Sequence, residues 1–191
     1  MKLVSTVFPP LETQRLYLRA LEKNDFEFFY HHFCAPQINQ YLLDEDAIKS
    51  LQHAQEIINS YVDGQLTDKT YMRWVLVTKV DGQLIGTCGF HKWSHHHHRA
   101  EIGYDLNPRV WRQGYMLEAL SIMLEFGFER MQLNRVEALV HPKNIASLRL
   151  LEKLNFHKEG LLRDYFYHNH QFHNHWLLSL LKTQWTNRQT Q

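Results

Sequence analysis

The feature that most constrains the fold is a series of three strand-like segments in the middle of the chain. Residues 71–79, 83–93 and 99–106 are rich in β-branched and aromatic side chains. Asp81-Gly82, between the first two, is a strong signal for a tight hairpin turn, because glycine tolerates the positive φ angle that such turns require. Only a short polar segment separates the second and third. The sequence therefore predicts three antiparallel strands in a row.

Helical and strand-like patterns on both sides of these strands predict a mixed α/β domain. Apolar residues recur at helical spacing after Asn24 and after Asn144, each of which suits an N-cap. No repeat or composition break divides the chain, so residues 1–191 are predicted to form a single domain. The other predicted elements are strands at 15–21 and 135–140, helices at 24–33, 45–62 and 114–130, a helix opened by Pro142 and Asn144, a loop at 63–69, and two long strands from Phe156 to about Trp185 that turn near 168–171.

Charge and composition exclude several classes of partner. The formal net charge is +1 and there is no basic stripe, so we expect no direct binding to nucleic acid. The two cysteines, Cys34 and Cys88, lie far apart and match neither a disulfide framework nor a metal motif. No stretch approaches the ~20 apolar residues of a membrane span, and the first ten residues contain no apolar run of signal length. We therefore expect a cytoplasmic protein without a membrane partner.

The segment "WRQGYMLEA" (111–119) lies at a predicted junction between a strand and a helix. Backbone N–H groups at a helix N-terminus are unpaired and can bind phosphate. Gly114 permits close approach of a ligand, and Arg109 and Arg112 add positive charge. An ordinary surface loop is the alternative, because one glycine before a helix is a weak signal.

Five segments resemble the GNAT N-acetyltransferases, specifically the RimJ/RimL-like branch that includes ribosomal-protein N-terminal acetyltransferases. They occur in the family order as "ETQRLYLRAL", "RAEIGYDL", "WRQGYMLEA", "LNRVEALVHPKNIASLRLLEKLNFHKEGLLRD" and "LLSLLKTQW". The resemblance covers about residues 11–185. It implies a strongly twisted, mostly antiparallel sheet that is splayed between its fourth and fifth strands and flanked by helices. It also implies acetyl-CoA as the acyl donor, without a metal.

The resemblance implies that residues 111–116 form the pyrophosphate loop, whose family pattern is Q/R-x-x-G-x-G/A. Gly114 keeps the central glycine, whereas Trp111 and Met116 depart from the pattern. We expect binding to survive the methionine, because backbone N–H groups make most of the phosphate contacts. The predicted acetyl-CoA-binding residues are Leu106, Arg109, Trp111, Arg112, Gln113, Gly114, Tyr115, Met116, Asn144 and Ser147.

Asn144 and Ser147 match the family's N-x-x-S motif at the start of a helix. By resemblance, Asn144 holds the pantetheine arm and Ser147 lies near the thioester sulfur. Read without the family, Asn144 is an N-cap and Ser147 a residue of the first turn, and both interpretations can hold together. Asn155 stands at the glycine of the family's "LEKLGF", a mild change because Asn also tolerates a left-handed helix end.

The predicted catalytic residues follow from the same resemblance. Glu101 is the candidate base for the attacking amine, directly or through water, and the alternative is an ion-paired strand carboxylate. Ser147 is the candidate acid for the leaving thiolate. Tyr104 and Tyr167 are alternatives to it, and Asp164 is a reserve carboxylate. Positioning alone can supply much of the rate, so catalysis does not require a base.

The four consecutive histidines His95–His98 have three interpretations, namely a metal site, a purification tag or a turn. Strands in family order precede and follow them, so we predict a turn and no metal ligands. Consecutive side chains on an extended chain alternate in direction, which limits how many of them can share a metal. A second histidine-rich segment, 168–176, would favour metal binding if it lay near the first.

The leading prediction is an acetyl-CoA-dependent N-acetyltransferase that acts by direct attack of a primary amine, most simply a protein N-terminal amine. The alternatives are a small amine such as a polyamine or antibiotic, a non-catalytic acyl-CoA-binding module, and a histidine-rich metal-binding protein. The sequence allows a monomer or a homodimer. In this family the N-terminal helices shape the amine side, and here they carry Phe28, Phe29, Tyr41, Asp44, Glu45 and Asp46.

Overall fold

The fold is an eight-stranded sheet with helices packed on both faces. The computed structural model describes residues 9–42, 48–67 and 71–189. Within them no helix is long and apolar enough to cross a membrane. The strand order is β1-β2-β3-β4-β5-β6-β8-β7, which confirms the predicted fold class. The elements are β1 (Leu11–Glu12), β2 (Leu16–Ala20), α1 (Phe26–Phe33), α2 (Pro36–Asn39), α3 (Leu51–Thr67), β3 (Met72–Thr78), β4 (Leu84–Ser94), β5 (Arg99–Leu106), α4 (Tyr115–Glu129), β6 (Arg135–Val140), α5 (Ile145–Lys153), β7 (His157–His168), β8 (Gln171–Leu181) and α6 (Lys182–Gln189).

The central strands β3, β4 and β5 pair antiparallel, as predicted. Gly82 has a φ of 68° in the first turn, which explains the glycine at this position. His95–His98 form the exposed second turn, and the His98 carbonyl accepts a hydrogen bond from the Asn134 N–H at 2.7 Å. The histidine run is therefore a turn that also contacts the loop before β6.

The sheet opens between β5 and β6. These strands are parallel and pair at three positions, which end with Glu101 opposite Glu137. β5 nevertheless continues to Leu106 and β6 to Val140. With the two-residue β1 left out of the count, this is the predicted splay between the fourth and fifth strands. It leaves one edge of each strand open over its second half.

Two hydrophobic cores cover the two faces of the sheet. The larger core packs α4 and α5 against the strands, with Leu120 and Phe128 fully buried. The smaller core packs α1 and α3 against the other face, around Phe29 and Ile58. We call these sides the α4 face and the α1 face.

Two predicted boundaries in the N-terminal half were wrong. The second helix was placed at 45–62, but α3 begins at Leu51, because the Ser50 hydroxyl accepts the His53 N–H at 3.1 Å and caps it. The predicted loop at 63–69 is also wrong, because α3 continues to Thr67. Residues 45–47 and 68–69 of those two predictions lie outside the described ranges.

The C-terminal strand prediction was also wrong beyond β8. The second long strand ends at Leu181, and α6 follows in place of a strand to Trp185. The helix turns the Trp185 side chain onto Phe128 in the larger core, with ring centroids 5.8 Å apart. Burial of this ring favours the helix over an extended end.

The two histidine-rich segments lie at opposite ends of β6. His98 contacts the chain just before Arg135, whereas β8 brings Trp176 opposite Val140 at the other end. A strand of this length spans roughly 20 Å. Among the described residues no group of three or more His, Cys, Asp or Glu side chains is arranged to hold a metal ion.

Candidate active site

A pair of hydroxyl groups lies beside the opening of the sheet. The Tyr104 hydroxyl, on β5 beyond the last β5–β6 pair, lies 2.6 Å from the Ser147 hydroxyl on α5. The Asn144 side chain caps α5 by accepting the Ser147 N–H at 3.1 Å. Burial raises the pKa of Tyr104, although its hydrogen bond to Ser147 opposes that shift. Both hydroxyls therefore carry their protons at neutral pH, and the structure brings together three residues that were predicted as site residues.

The N-terminus of α4 has the features of a phosphate site. Gly114 has a φ of 82°, in the left-handed region, and none of the side chains that the structure describes caps the helix. Its first N–H groups are therefore open at the positive end of the helix dipole. Arg109, Arg112 and Gln113 are exposed beside them. A side chain at position 114 would be strained whatever space it had.

The two residues that depart from the family loop pattern have structural roles. The Trp111 indole N–H donates to the Leu106 carbonyl at 2.6 Å, which ties the loop to the end of β5. Met116 is buried in the larger core and does not crowd the helix N-terminus. Tyr115, between Gly114 and Met116, contacts Arg15 through its ring.

Arg15 on the loop before β2 holds the α4 N-terminus, a role that sequence reasoning missed. Its guanidinium donates to the Gln113 carbonyl at 2.9 Å and to the Glu118 carboxylate at 2.6 Å. The guanidinium carbon also lies 4.3 Å from the centre of the Tyr115 ring. Its only signal in the sequence is its place in "ETQRLYLRAL", one of the segments that resemble the family.

Glu101 projects to the α1 face, on the opposite side of the sheet from Tyr104, because side chains alternate along β5. Its carboxylate contacts the Lys92 ammonium at 2.9 Å and the His91 imidazole at 3.2 Å. Burial acts to raise its pKa, but these two partners together lower the pKa below the usual range. A lower pKa makes the carboxylate a weaker base, so these contacts favour the ion-pair interpretation.

Asp105 forms a buried polar network on the same face, which sequence reasoning also missed. It accepts hydrogen bonds from His32 at 2.7 Å, from Arg73 at 2.8 Å, and from both the N–H and the hydroxyl of Thr87. Burial opposes its ionisation, but these donors lower its pKa, so the carboxylate stays charged. The network joins α1, β3 and β4 to the open half of β5. No sequence motif brings these four residues together.

A cluster of rings lies on the α1 face at the far end of β6. The ring of His141 lies 5.8 Å from that of His173 and 5.6 Å from that of His175. Tyr41, which follows α2, stacks on His141 at 5.2 Å. Phe166 contacts His175 at 4.6 Å. We call these five residues the ring cluster; the sequence signal for it was the segment 168–176, whereas His141 gave none.

The remaining predicted residues lie elsewhere. Asp164 and Tyr167 are exposed on β7, and Tyr167 packs on Phe172. Phe28 contacts His32, and Phe29 is a core residue of the α1 face rather than part of a surface for a ligand. Asp44, Glu45 and Asp46 lie outside the described residues.

These features fit an acyl-CoA molecule. The open N–H groups at the start of α4 suit a pyrophosphate. The open edge of β5 suits an extended chain with amide groups, such as a pantetheine arm. The hydroxyl pair of Tyr104 and Ser147 lies on the same face as α4, where the acyl end of such a molecule would lie.

Comparison with known proteins identifies relatives over most of the chain. A family model described as "Acetyltransferase (GNAT) domain" matches residues 15–157. The uncharacterized N-acetyltransferase YoaA of Bacillus subtilis is 38% identical over 163 residues, which cover 85% of this chain and 91% of YoaA.

Solved structures show the same fold. A probable acetyltransferase is 27% identical with a TM-score of 0.83, and the match covers 93% of this chain and 99% of that one. The spermidine N-acetyltransferase of Vibrio cholerae, in complex with CoA and spermine, is 23% identical with a TM-score of 0.79 over 90% of this chain and 98% of its own. The ribosomal-protein-S5-alanine acetyltransferase of Vibrio fischeri is 22% identical, with a TM-score of 0.77 over 93% and 98%. At these identities the last two show the fold alone.

Replacement of Arg15 by alanine is expected to loosen the start of α4. Loss of its contacts to Gln113, Tyr115 and Glu118 should cost on the order of 1 kcal/mol, because the guanidinium is partly exposed. Backbone amides of residues 114–116 should exchange hydrogen faster, which can be measured by mass spectrometry. Arg112→Ala is the matched control, since Arg112 is exposed and its side chain makes no hydrogen bond or ion pair among the described residues. Equal exchange in both variants would show that Arg15 does not support this loop.

Proposed function

The chain belongs to the GNAT family of N-acetyltransferases, and we propose that it acetylates a protein N-terminal amine, as the RimJ/RimL-like branch does, by direct attack of the amine on acetyl-CoA. The family accounts for the reaction type and for the donor. The observation that carries the proposal further is the Tyr104–Ser147 hydroxyl pair beside the splay.

In this proposal acetyl-CoA binds on the α4 face. Backbone N–H groups at Gly114 and the following residues would hold the pyrophosphate, and Arg109 and Arg112 would add positive charge. Asn144 would hold the pantetheine arm. Bound acetyl-CoA supplies an activated acyl group whose leaving group is a thiolate. Ser147 or Tyr104 would give this thiolate a proton, since both hydroxyls are neutral and hydrogen-bonded to each other.

In this proposal the amine substrate approaches from the α1 face. The ring cluster lies there, at the end of the splay, and its described members are aromatic and imidazole rings rather than carboxylates. A polyamine carries several positive charges and needs several carboxylates for tight binding, whereas one α-ammonium group does not. Two of the solved structures with this fold are named for the two substrate classes, spermidine and a ribosomal-protein alanine. The ring cluster favours the N-terminal amine, and a small amine is the alternative.

Glu101 was predicted as the base, but its ion pairs with Lys92 and His91 weaken it as a base, and we propose that its role is structural. We expect Glu101→Gln to lower kcat/KM less than about tenfold and to leave the pH dependence of the rate intact, because the pairing of this residue is structural. Glu137→Gln is the matched control, since Glu137 lies opposite Glu101 and is paired with Arg99 and Arg135. Loss of the rise in rate with pH in Glu101→Gln alone would identify Glu101 as the base.

Replacement of Gly114 by aspartate should abolish most acetyl-CoA binding. The side chain adds a negative charge where the pyrophosphate is expected, and the φ of 82° strains any residue with a Cβ atom. Calorimetric titration should show a loss in affinity of at least about a hundredfold. Gly82→Asp is the control, because its φ of 68° gives similar strain in a turn with open space around it. Equal affinities in the two variants would place the donor elsewhere.

An amine screen tests the substrate. Thiol release from acetyl-CoA would be followed with peptides that have a free N-terminus, with N-terminally blocked peptides that contain lysine, and with spermidine. We expect turnover with the free N-termini and, by mass spectrometry, acetyl groups on the α-amine. Turnover of spermidine alone would show that the substrate proposal is wrong. Acetyl-CoA binding without turnover of any amine would indicate a non-catalytic acyl-CoA module.

A further inference from the structure

We propose that His141 selects the amine substrate by donating a hydrogen bond from Nε2 to the carbonyl oxygen of the substrate's first residue. This inference rests on the proposed function and names the chemical feature that the site recognises. An N-terminal residue carries such an oxygen next to its amine. A polyamine carries nitrogen donors and has no carbonyl oxygen to offer.

His141 follows the last β5–β6 pair by nearly the same number of residues as Tyr104 does. The last pair between the parallel strands joins Glu101 and Glu137. Three residues further along each strand are Tyr104 and Val140, and the next residue on β6 is His141. The Val140 side chain is buried in the core of the α4 face, so the following side chain projects to the α1 face.

The contacts of His141 confirm this direction. Its ring stacks on Tyr41 and also contacts His173 and His175. All three belong to the α1 side of the sheet. Ile38 of α2 lies in the smaller core just before Tyr41, and His173 and His175 alternate along β8 with residues that pack on the larger core. The same turn carries Asn144, whose N–H donates to the His141 carbonyl at 2.9 Å. His141 is thus fixed to the turn that positions Ser147 but faces the opposite side of the splay.

The hydrogen bonds of the ring determine which nitrogen is available. Nδ1 accepts the Lys143 N–H at 3.2 Å, so the neutral ring carries its hydrogen on Nε2. Nε2 is neither buried nor bonded to another group in the described part of the chain. The tautomer therefore makes His141 a donor rather than a base. A carbonyl oxygen is the partner that such a donor requires, and an ammonium group cannot take its place.

The charge state of the ring suits a neighbouring ammonium group. Burial lowers the pKa of His141, and His173 and Lys143 lower it further. Within the described ranges, the groups that face the ring are Tyr41, His173, His175 and Lys143, and none of these four is acidic. The substrate amine arrives as an ammonium ion and loses a proton before it attacks. A neutral His141 ring at pH 7 can donate its hydrogen bond without repelling this positive charge. A charged ring would repel it, so binding of the amine should weaken at acid pH.

The experiment measures the acetylation of two amines by each of three proteins. The substrates are the amide of Ala-Ala-Ala and propargylamine, a primary amine of similar basicity without a carbonyl oxygen. The proteins are the wild type, His141→Phe, which keeps a ring against Tyr41 but no N–H, and His141→Gln, whose amide can donate from a similar position. The readouts are kcat/KM for each amine and the affinity for acetyl-CoA.

We expect His141→Phe to lower kcat/KM for the peptide by about tenfold or more, and for propargylamine by less than about threefold. His141→Gln should recover much of the peptide rate, and acetyl-CoA affinity should not change. An equal loss for both amines, or none for the peptide, would overturn the role of His141 while the proposed function stands. A wild-type protein that acetylates no peptide would overturn both.

Discussion

The end of strand pairing after Glu101 and Glu137 is the constraint on which the site depends. A parallel pair that stops after three positions leaves open edges on both strands, and it brings two opposite faces of the sheet to one gap. The α4 face contributes a helix N-terminus and two hydroxyls. The α1 face contributes the ring cluster and two carboxylates, Glu101 and Asp105, that are already paired with cationic or imidazole side chains. A donor and an amine can therefore approach the same point from different sides.

The open half of β5 needs support, because it has lost its partner on one edge. β4 still pairs with it on the other edge. Asp105 adds four hydrogen bonds from three other elements on the α1 face, and Tyr104 bonds to Ser147 on the α4 face. A buried carboxylate that lacked some of its hydrogen bonds would destabilise this strand. With all four donors in place, the Asp105 network holds the strand in position. Side-chain hydrogen bonds on both faces thus hold the open half of β5, which lacks strand pairing on one edge.

Much of the fold was predictable because it rests on local patterns. The hairpin at Gly82, the cap at Asn144 and the glycine at the start of α4 each leave a signature within a few residues. The helix α6 could not be predicted in this way, because burial of Trp185 against Phe128 decides it. Arg15, Asp105 and His141 act through residues distant in sequence. Their roles depend on register and on which face each side chain takes, which only the assembled sheet determines.

The pKa shifts on the two faces of the sheet also favour a protein N-terminal amine as the substrate. Burial raises the pKa of Tyr104, so the α4 face holds a protonated hydroxyl beside the expected thiolate, but a weakly acidic one. On the α1 face the pKa values of Glu101 and Asp105 are lowered by their partners, and His141 holds its hydrogen where a base would need a lone pair. Such a site removes a proton from an ammonium group poorly. It is best suited to an amine that is already partly neutral.

An α-amine has a pKa near about 8, whereas an alkyl amine such as that of lysine has one above about 10. At neutral pH a far larger fraction of the α-amine is ready to attack, so a weakly basic amine face suits an N-terminal substrate.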